Sequence, residues 1–150
     1  MIILLALLSG CAANQPNPAP EAATNSATES SAQISIFPDE QVYVEATVKD
    51  NKIVSIRNVH TLSNPGSTLT FKFSKMDGGK GMMLSVKNPL DNAIKYHIDM
   101  VDFKGGLHHT SSCPIMAGLS VFESWPHPIP EIRITNFHFA ASNEGSVCIY

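Results

Sequence analysis

The chain has 150 residues and a formal charge of -3, with charged residues making up only 15% of it. So weak an acidic balance offers no electrostatic footprint for nucleic acid and no basic patch for an anionic lipid surface. The length is that of one domain with a proper core, and it leaves no room for several.

Ile2 to Leu8 is an unbroken apolar run followed by Ser9-Gly10-Cys11. It is far short of the roughly 20 apolar residues of a spanning helix and matches a signal-peptide hydrophobic region. Leu8-Ser9-Gly10-Cys11 resembles the lipobox of bacterial lipoproteins, a resemblance that covers the export signal alone. It implies that residues 1–10 are removed as a signal peptide. Cys11 would then become a lipidated N-terminus, and its acyl chains would hold the protein on a membrane. Ala12 is not the Asp that retains such proteins in the inner membrane, so the expected location is the outer membrane, facing the periplasm. With Cys11 assigned to lipid, Cys113 and Cys148 remain as an even pair. An oxidising compartment would join them, the alternative being two buried thiols packed as small hydrophobes.

Residues 11–33 consist, after the Cys, of Ala, Asn, Pro, Ser, Thr, Gln and Glu. Without aromatic or branched aliphatic side chains this stretch cannot offset its own ordering entropy, and it reads as a disordered tether. The folded domain is expected over residues 34–150.

Its elements alternate with period two. Ile34 to Phe37 begins an edge strand that Pro38 ends. In Gln41 to Lys49, Val42, Val44, Ala46 and Val48 share one face. Asp50-Asn51 supplies a hairpin turn, because both residue types tolerate positive φ, and Lys52 to Arg57 returns. Thr68 to Ser74 points Leu69, Phe71 and Phe73 inward. A glycine-rich turn, Met76 to Gly81, leads to the stripe Met82, Leu84 and Val86, which stops at Asn88-Pro89. Ile94, Tyr96, Ile98 and Met100 form the next inward stripe, with Lys95, His97 and Asp99 outward. Leu107 to Ser112 pairs weakly, Cys113 to Gly118 is a loop, and Leu119 to Glu123 is a short strand. Trp125 to Pro130 follows an extended, partly polyproline path. Glu131 to Phe139 is a strand whose apolar parity slips between Ile134 and Phe137, as a bulge would produce. Val147 to Tyr150 reads as a final strand. Short strands with frequent turns predict an all-β fold, an immunoglobulin-like β-sandwich of about seven to nine antiparallel strands, with a transthyretin-like sandwich or small barrel as alternatives.

No Gly-x-Ser-x-Gly elbow is present and the cysteines are accounted for, so a non-enzymatic module without a cofactor is expected. In this reading the domain binds another envelope protein or takes part in an assembly. The six histidines raise a second reading, copper or zinc binding through His97, His108, His109 and Met100, since imidazole and thioether suit such ions. Adjacent His108 and His109 would leave a strand on opposite faces, however. Turn fragments such as Asn64-Pro65-Gly66 and Gly78-Gly79-Lys80-Gly81 are similar to loops of chagasin-like protease inhibitors, a third reading. The candidate binding surface is Phe122, Trp125, His127 and Ile129, because aromatics in a rigid Pro-rich loop bind at low entropic cost. The alternative is that Trp125, the only Trp, plugs one end of the sandwich.

Overall fold

The computed structural model describes residues 32–141 and 147–148. The signal and Cys11, nearly all of the tether, and Ile149 and Tyr150 lie outside the described residues. Nine strands follow in chain order: β1 (Ile34–Ile36), β2 (Glu40–Lys49), β3 (Lys52–Val59), β4 (Thr68–Lys75), β5 (Met82–Lys87), β6 (Ile94–Val101), β7 (Leu107–Thr110), β8 (Ser120–Trp125) and β9 (Glu131–Phe139). Every pairing is antiparallel. One sheet has the order β1-β9-β6-β7 and the other β3-β2-β4-β5-β8. The chain is an all-β sandwich.

The alternation in the sequence explains the layers. Leu69, Phe71 and Phe73 of β4 and Leu84 and Val86 of β5 are fully buried, and Ile94, Tyr96 and Ile98 of β6 face them with Ile132 and Ile134 of β9. Each large apolar side chain buried in this way contributes roughly 1.5–3 kcal/mol. Phe71 meets Tyr96 edge-on at 5.6 Å between ring centroids, and Phe137 joins both at 6.1 and 5.9 Å. The Tyr96 hydroxyl is buried without a hydrogen-bond partner, and burial drives its pKa far above that of an ordinary phenol.

Two bulges adjust the register. Thr47 pairs with Ser55 but Val48 with Ile53, so Val54 is the extra residue and projects 56% exposed. This twist also carries Val48 out of the core, to 44% exposure, although it shares parity with Val44. In the other sheet Lys95 pairs with His138 and His97 with Thr135, which opposes two residues to Tyr96. Asn136 absorbs the insertion at a φ of 53°, a region Asn tolerates. The parity slip in β9 is this bulge. Asp50 and Asn51, at φ 49° and 56°, form the β2–β3 turn.

Three expectations are corrected. Lys95 and Asp99 do lie opposite the inward stripe, yet they are only 3% and 8% exposed, because β6 runs inside its sheet and long side chains from its neighbours flank them. Trp125 is the last residue of β8 and not part of the extended loop, since it completes the ladder opposite Met82. Val147 and Cys148 carry no strand geometry. Cys113 and Cys148 are joined by a disulfide with 4.0 Å between Cα atoms, so the described C-terminal residues are held by a covalent bond where a ladder was expected.

Glu123 is the one charged residue on the inner side of β8. Half-buried, it is pushed above its ordinary carboxyl pKa of 4.5 by burial, and a weak hydrogen bond from the Cys113 backbone N–H at 3.4 Å only partly opposes this. A carboxyl raised by folding leaves the fold uncharged and undisturbed below its unfolded pKa, and costs stability as pH rises through the folded value. Glu123→Gln is therefore expected to leave stability at acid pH unchanged and to raise it at neutral pH, by less than about 1 kcal/mol after solvent screening. Urea unfolding of both proteins at the two pH values measures this, and an equal gain at both would reject it.

Candidate functional site

The end of the sandwich where β6 turns into β7 is built around one carboxylate. Asp102 Oδ1 accepts the backbone N–H groups of Lys104 at 2.7 Å and Gly106 at 2.9 Å, and Oδ2 lies 2.9 Å from His108 Nε2. The hydrogen bond from His108, then those from Gly106 and Lys104, hold its pKa down to about 2. Gly106 makes the approach possible, since a Cβ there would meet Oδ2 at 2.8 Å. The turn closes with Asp102 N–H donating to Gly106 O and Gly105 N–H to Asp102 O, at 2.9 and 3.0 Å. A tip tied by so many bonds is fixed in shape, and it projects Phe103 at 77% exposure; Leu107, 51% exposed, stands opposite Val101 on the outer face of β7.

Beneath the tip is a groove of about 300 Å³. Met100, Phe103 and His108 form one wall, and His127, Pro128 and Ile129 the other. The prolines at 126, 128 and 130 stiffen the second wall and remove backbone donors from it. His108 stands opposite Met100 in the β6–β7 register, on the inner face, which is why it lines the groove.

Compared with known proteins, the chain matches no family model, no curated protein and no solved structure.

The four residues expected to form the binding surface are divided. Trp125 is 8% exposed, its ring edge-on to Phe73 at 6.3 Å and its Nε1 donating to Thr110 Oγ1 at 3.4 Å. Ile129 is 2% exposed and packs in the core cluster beside it. Both close the end of the sandwich from inside, because β8 brings Trp125 in on the same parity as Val121 and Glu123. Phe122, 67% exposed, stands on the outer face of the other sheet, and of the four His127 and Ile129 line the groove, Ile129 from its buried base. Phe103 and Leu107 were missed by the sequence reading. An aromatic set between Asp102 and Gly105-Gly106, in a turn too short to bury it, was the available signal.

The histidines also part company. His109 pairs with Asp99 through Nδ1 on the outer face, away from His108. His97 shares that outer face, where the Asn136 side chain donates to its Nε2 at 3.0 Å and His138 Nδ1 donates to Asn136 O at 2.8 Å. Burial, and then the charge of His138, lower the His97 pKa. Among the described residues no three His, Cys, Asp or Glu side chains form a group that could hold a metal ion.

Proposed function

We propose that the chain is a bacterial envelope lipoprotein, anchored at the outer membrane through Cys11, whose immunoglobulin-like sandwich is a non-enzymatic protein-binding or assembly module. The observation that carries this reading is the exposed Phe103 on a fixed turn at the rim of a stiff-walled groove. Large apolar side chains on a preformed tip lose little entropy on docking, and such side chains gathered at one place mark contact surfaces.

The test is capture from the native envelope by chemical crosslinking of the full lipidated protein, compared with a Phe103→Ser, Leu107→Ser double variant. The parent is expected to recover a discrete envelope protein, and the variant at least tenfold less of it. Equal recovery by both, or no partner with the parent, rejects the reading.

A further inference from the structure

Among the described residues the two sheets end in four edge strands, β1 and β7 in one and β3 and β8 in the other. Three of these are blunted. β1 has three residues and β7 four, and strands so short template little pairing. β3 is longer, but the bulge at Val54 breaks its register and it carries Lys52 and Arg57. β8 pairs along its six residues with β5 without a register shift, contains no proline or glycine, and turns only Ser120, Phe122 and Ser124 to the outer face. Hydrogen-bond direction alternates along an antiparallel ladder, so one bond orients the strand. Asn88 N–H donates to Leu119 O at 2.9 Å in the register of β5 and β8, which assigns the backbone groups of Val121, Glu123 and Trp125 to β5. Those of Ser120, Phe122 and Ser124 therefore point away from the sheet, and among the described residues no backbone group meets them. All three residues are exposed, Phe122 at 67%.

Such an edge can add a second copy of itself about a two-fold axis, and the side chains choose the register. The direction of the outward groups and a full overlap leave two positions for the axis, Phe122 and Glu123. An axis at Glu123 sets the two carboxylates directly opposite each other on the inner face, a destabilising arrangement. An axis at Phe122 pairs Ser120 with Ser124 of the second copy and lays the two Phe122 rings side by side on the outer face, where aromatic cross-strand pairs are favourable. Val121 then lies opposite Glu123 of the second copy, and the two carboxylates become diagonal neighbours at about 7–8 Å. The side chains that the copies bring together on the outer face are uncharged, so that face presents no repulsion, and the exposed Phe122 gains the cover it lacks in a single copy.

We propose that β8 is a self-recognition edge, at which two copies of the chain join β8 to β8, antiparallel about Phe122, into one continuous sheet. The contact is separate from the groove beneath Phe103 and needs no partner there. It is tested by backbone amide hydrogen exchange of the full chain, in an excess of detergent micelles, at micromolar and at millimolar protein concentration. The amides of Ser120, Phe122 and Ser124, open in a single copy, are expected to become protected at the higher concentration, with a dissociation constant on the order of 100 μM, as suits a small interface. Phe122→Lys sets like charges opposite each other, and Ser124→Pro removes an outward donor without touching the β5 ladder, so each should weaken association about tenfold. Glu123→Gln removes the diagonal repulsion and should strengthen it about fivefold. The register has its own readout: Ser120→Lys combined with Ser124→Glu should associate more tightly than Ser120→Lys combined with Ser124→Lys, because pairing about Phe122 sets residue 120 against residue 124. All but Glu123 among these positions are exposed, and amide shifts outside β8 that match the parent's will show that each variant is folded. Absence of concentration-dependent protection at the three amides, protection arising at another surface in their place, or undiminished association of both Phe122→Lys and Ser124→Pro overturns the proposal.

Discussion

Replacement of Asn88 by leucine is expected to lower the unfolding free energy by about 3 kcal/mol or more, with the same chain length and nearly the same volume. Asn88 is fully buried just after β5. Its Nδ2 donates to the carbonyls of Asn92 at 2.9 Å, Ile115 at 3.0 Å and Met116 at 3.2 Å, while Oδ1 accepts Leu90 N–H at 3.0 Å. One side chain thus satisfies the backbone of two loops, its own and the one that carries Ile115 and Met116. Leucine would leave the buried Leu90 N–H unpaired, strip the Asn92 carbonyl of its Asn88 partner, and leave the Ile115 and Met116 carbonyls with only their bonds from Ile94 and Leu119 N–H, and each group left dry and unpaired costs about 1–3 kcal/mol. Aspartate would keep the acceptor but set a carboxylate against three carbonyl oxygens, so it should be at least as damaging. Urea unfolding monitored by Trp125 fluorescence measures the effect, and a loss under about 1 kcal/mol would show that the loops find other partners.

Removal of the Cys113–Cys148 bond, by changing both residues to alanine, is expected to cost about 3–4 kcal/mol for its sequence separation of 35. The mechanism differs from that of Asn88. The segment around Cys113 has other attachments in the folded chain: Ile94 and Ile115 exchange backbone bonds at 3.0 and 2.9 Å, the Ser112 hydroxyl donates to Tyr96 O, and Asn88 grips Ile115 and Met116. The cross-link therefore acts mainly by restricting the unfolded chain. Amide shifts of the reduced or doubly substituted protein should match the parent everywhere except near Cys113 and the C-terminus, while the denaturant midpoint falls. Widespread shift changes would contradict this and place the bond's effect in the folded state.

The strands were legible in the sequence wherever one face is buried and the other wet. β4 is the clearest instance, since Leu69, Phe71 and Phe73 alternate with Thr70 and Lys72 and no neighbouring element disturbs that pattern. Legibility fails where context overrides composition. Lys95 and Asp99 look like solvent-facing residues by type and parity, and their burial comes from the position of β6 between β9 and β7, which no local pattern encodes. Asn88 read as punctuation before Pro89, although its side chain organises both loops. The site was the least legible part. Trp125 and Ile129 lie in a stretch that offered either a binding surface or a plug for one end of the sandwich, and the plug is what the fold shows: β8 extends two residues past Glu123, and Ile129 packs in the core cluster. Phe103 escaped notice because a single aromatic in a glycine turn has no periodicity to announce it.

Glu123 also bears on the exposed edge of its sheet. β8 is the terminal strand of the five-stranded sheet, so its outer backbone groups could template a strand from another chain. Any such addition would enclose the half-buried Glu123 further and oppose its ionisation more strongly. The ionised carboxylate thus acts as a guard against edge-to-edge growth, and that guard weakens as pH falls and the group takes up its proton. The residue that slightly weakens the fold at neutral pH thus also makes strand addition at the β8 edge costlier at neutral pH than at acid pH.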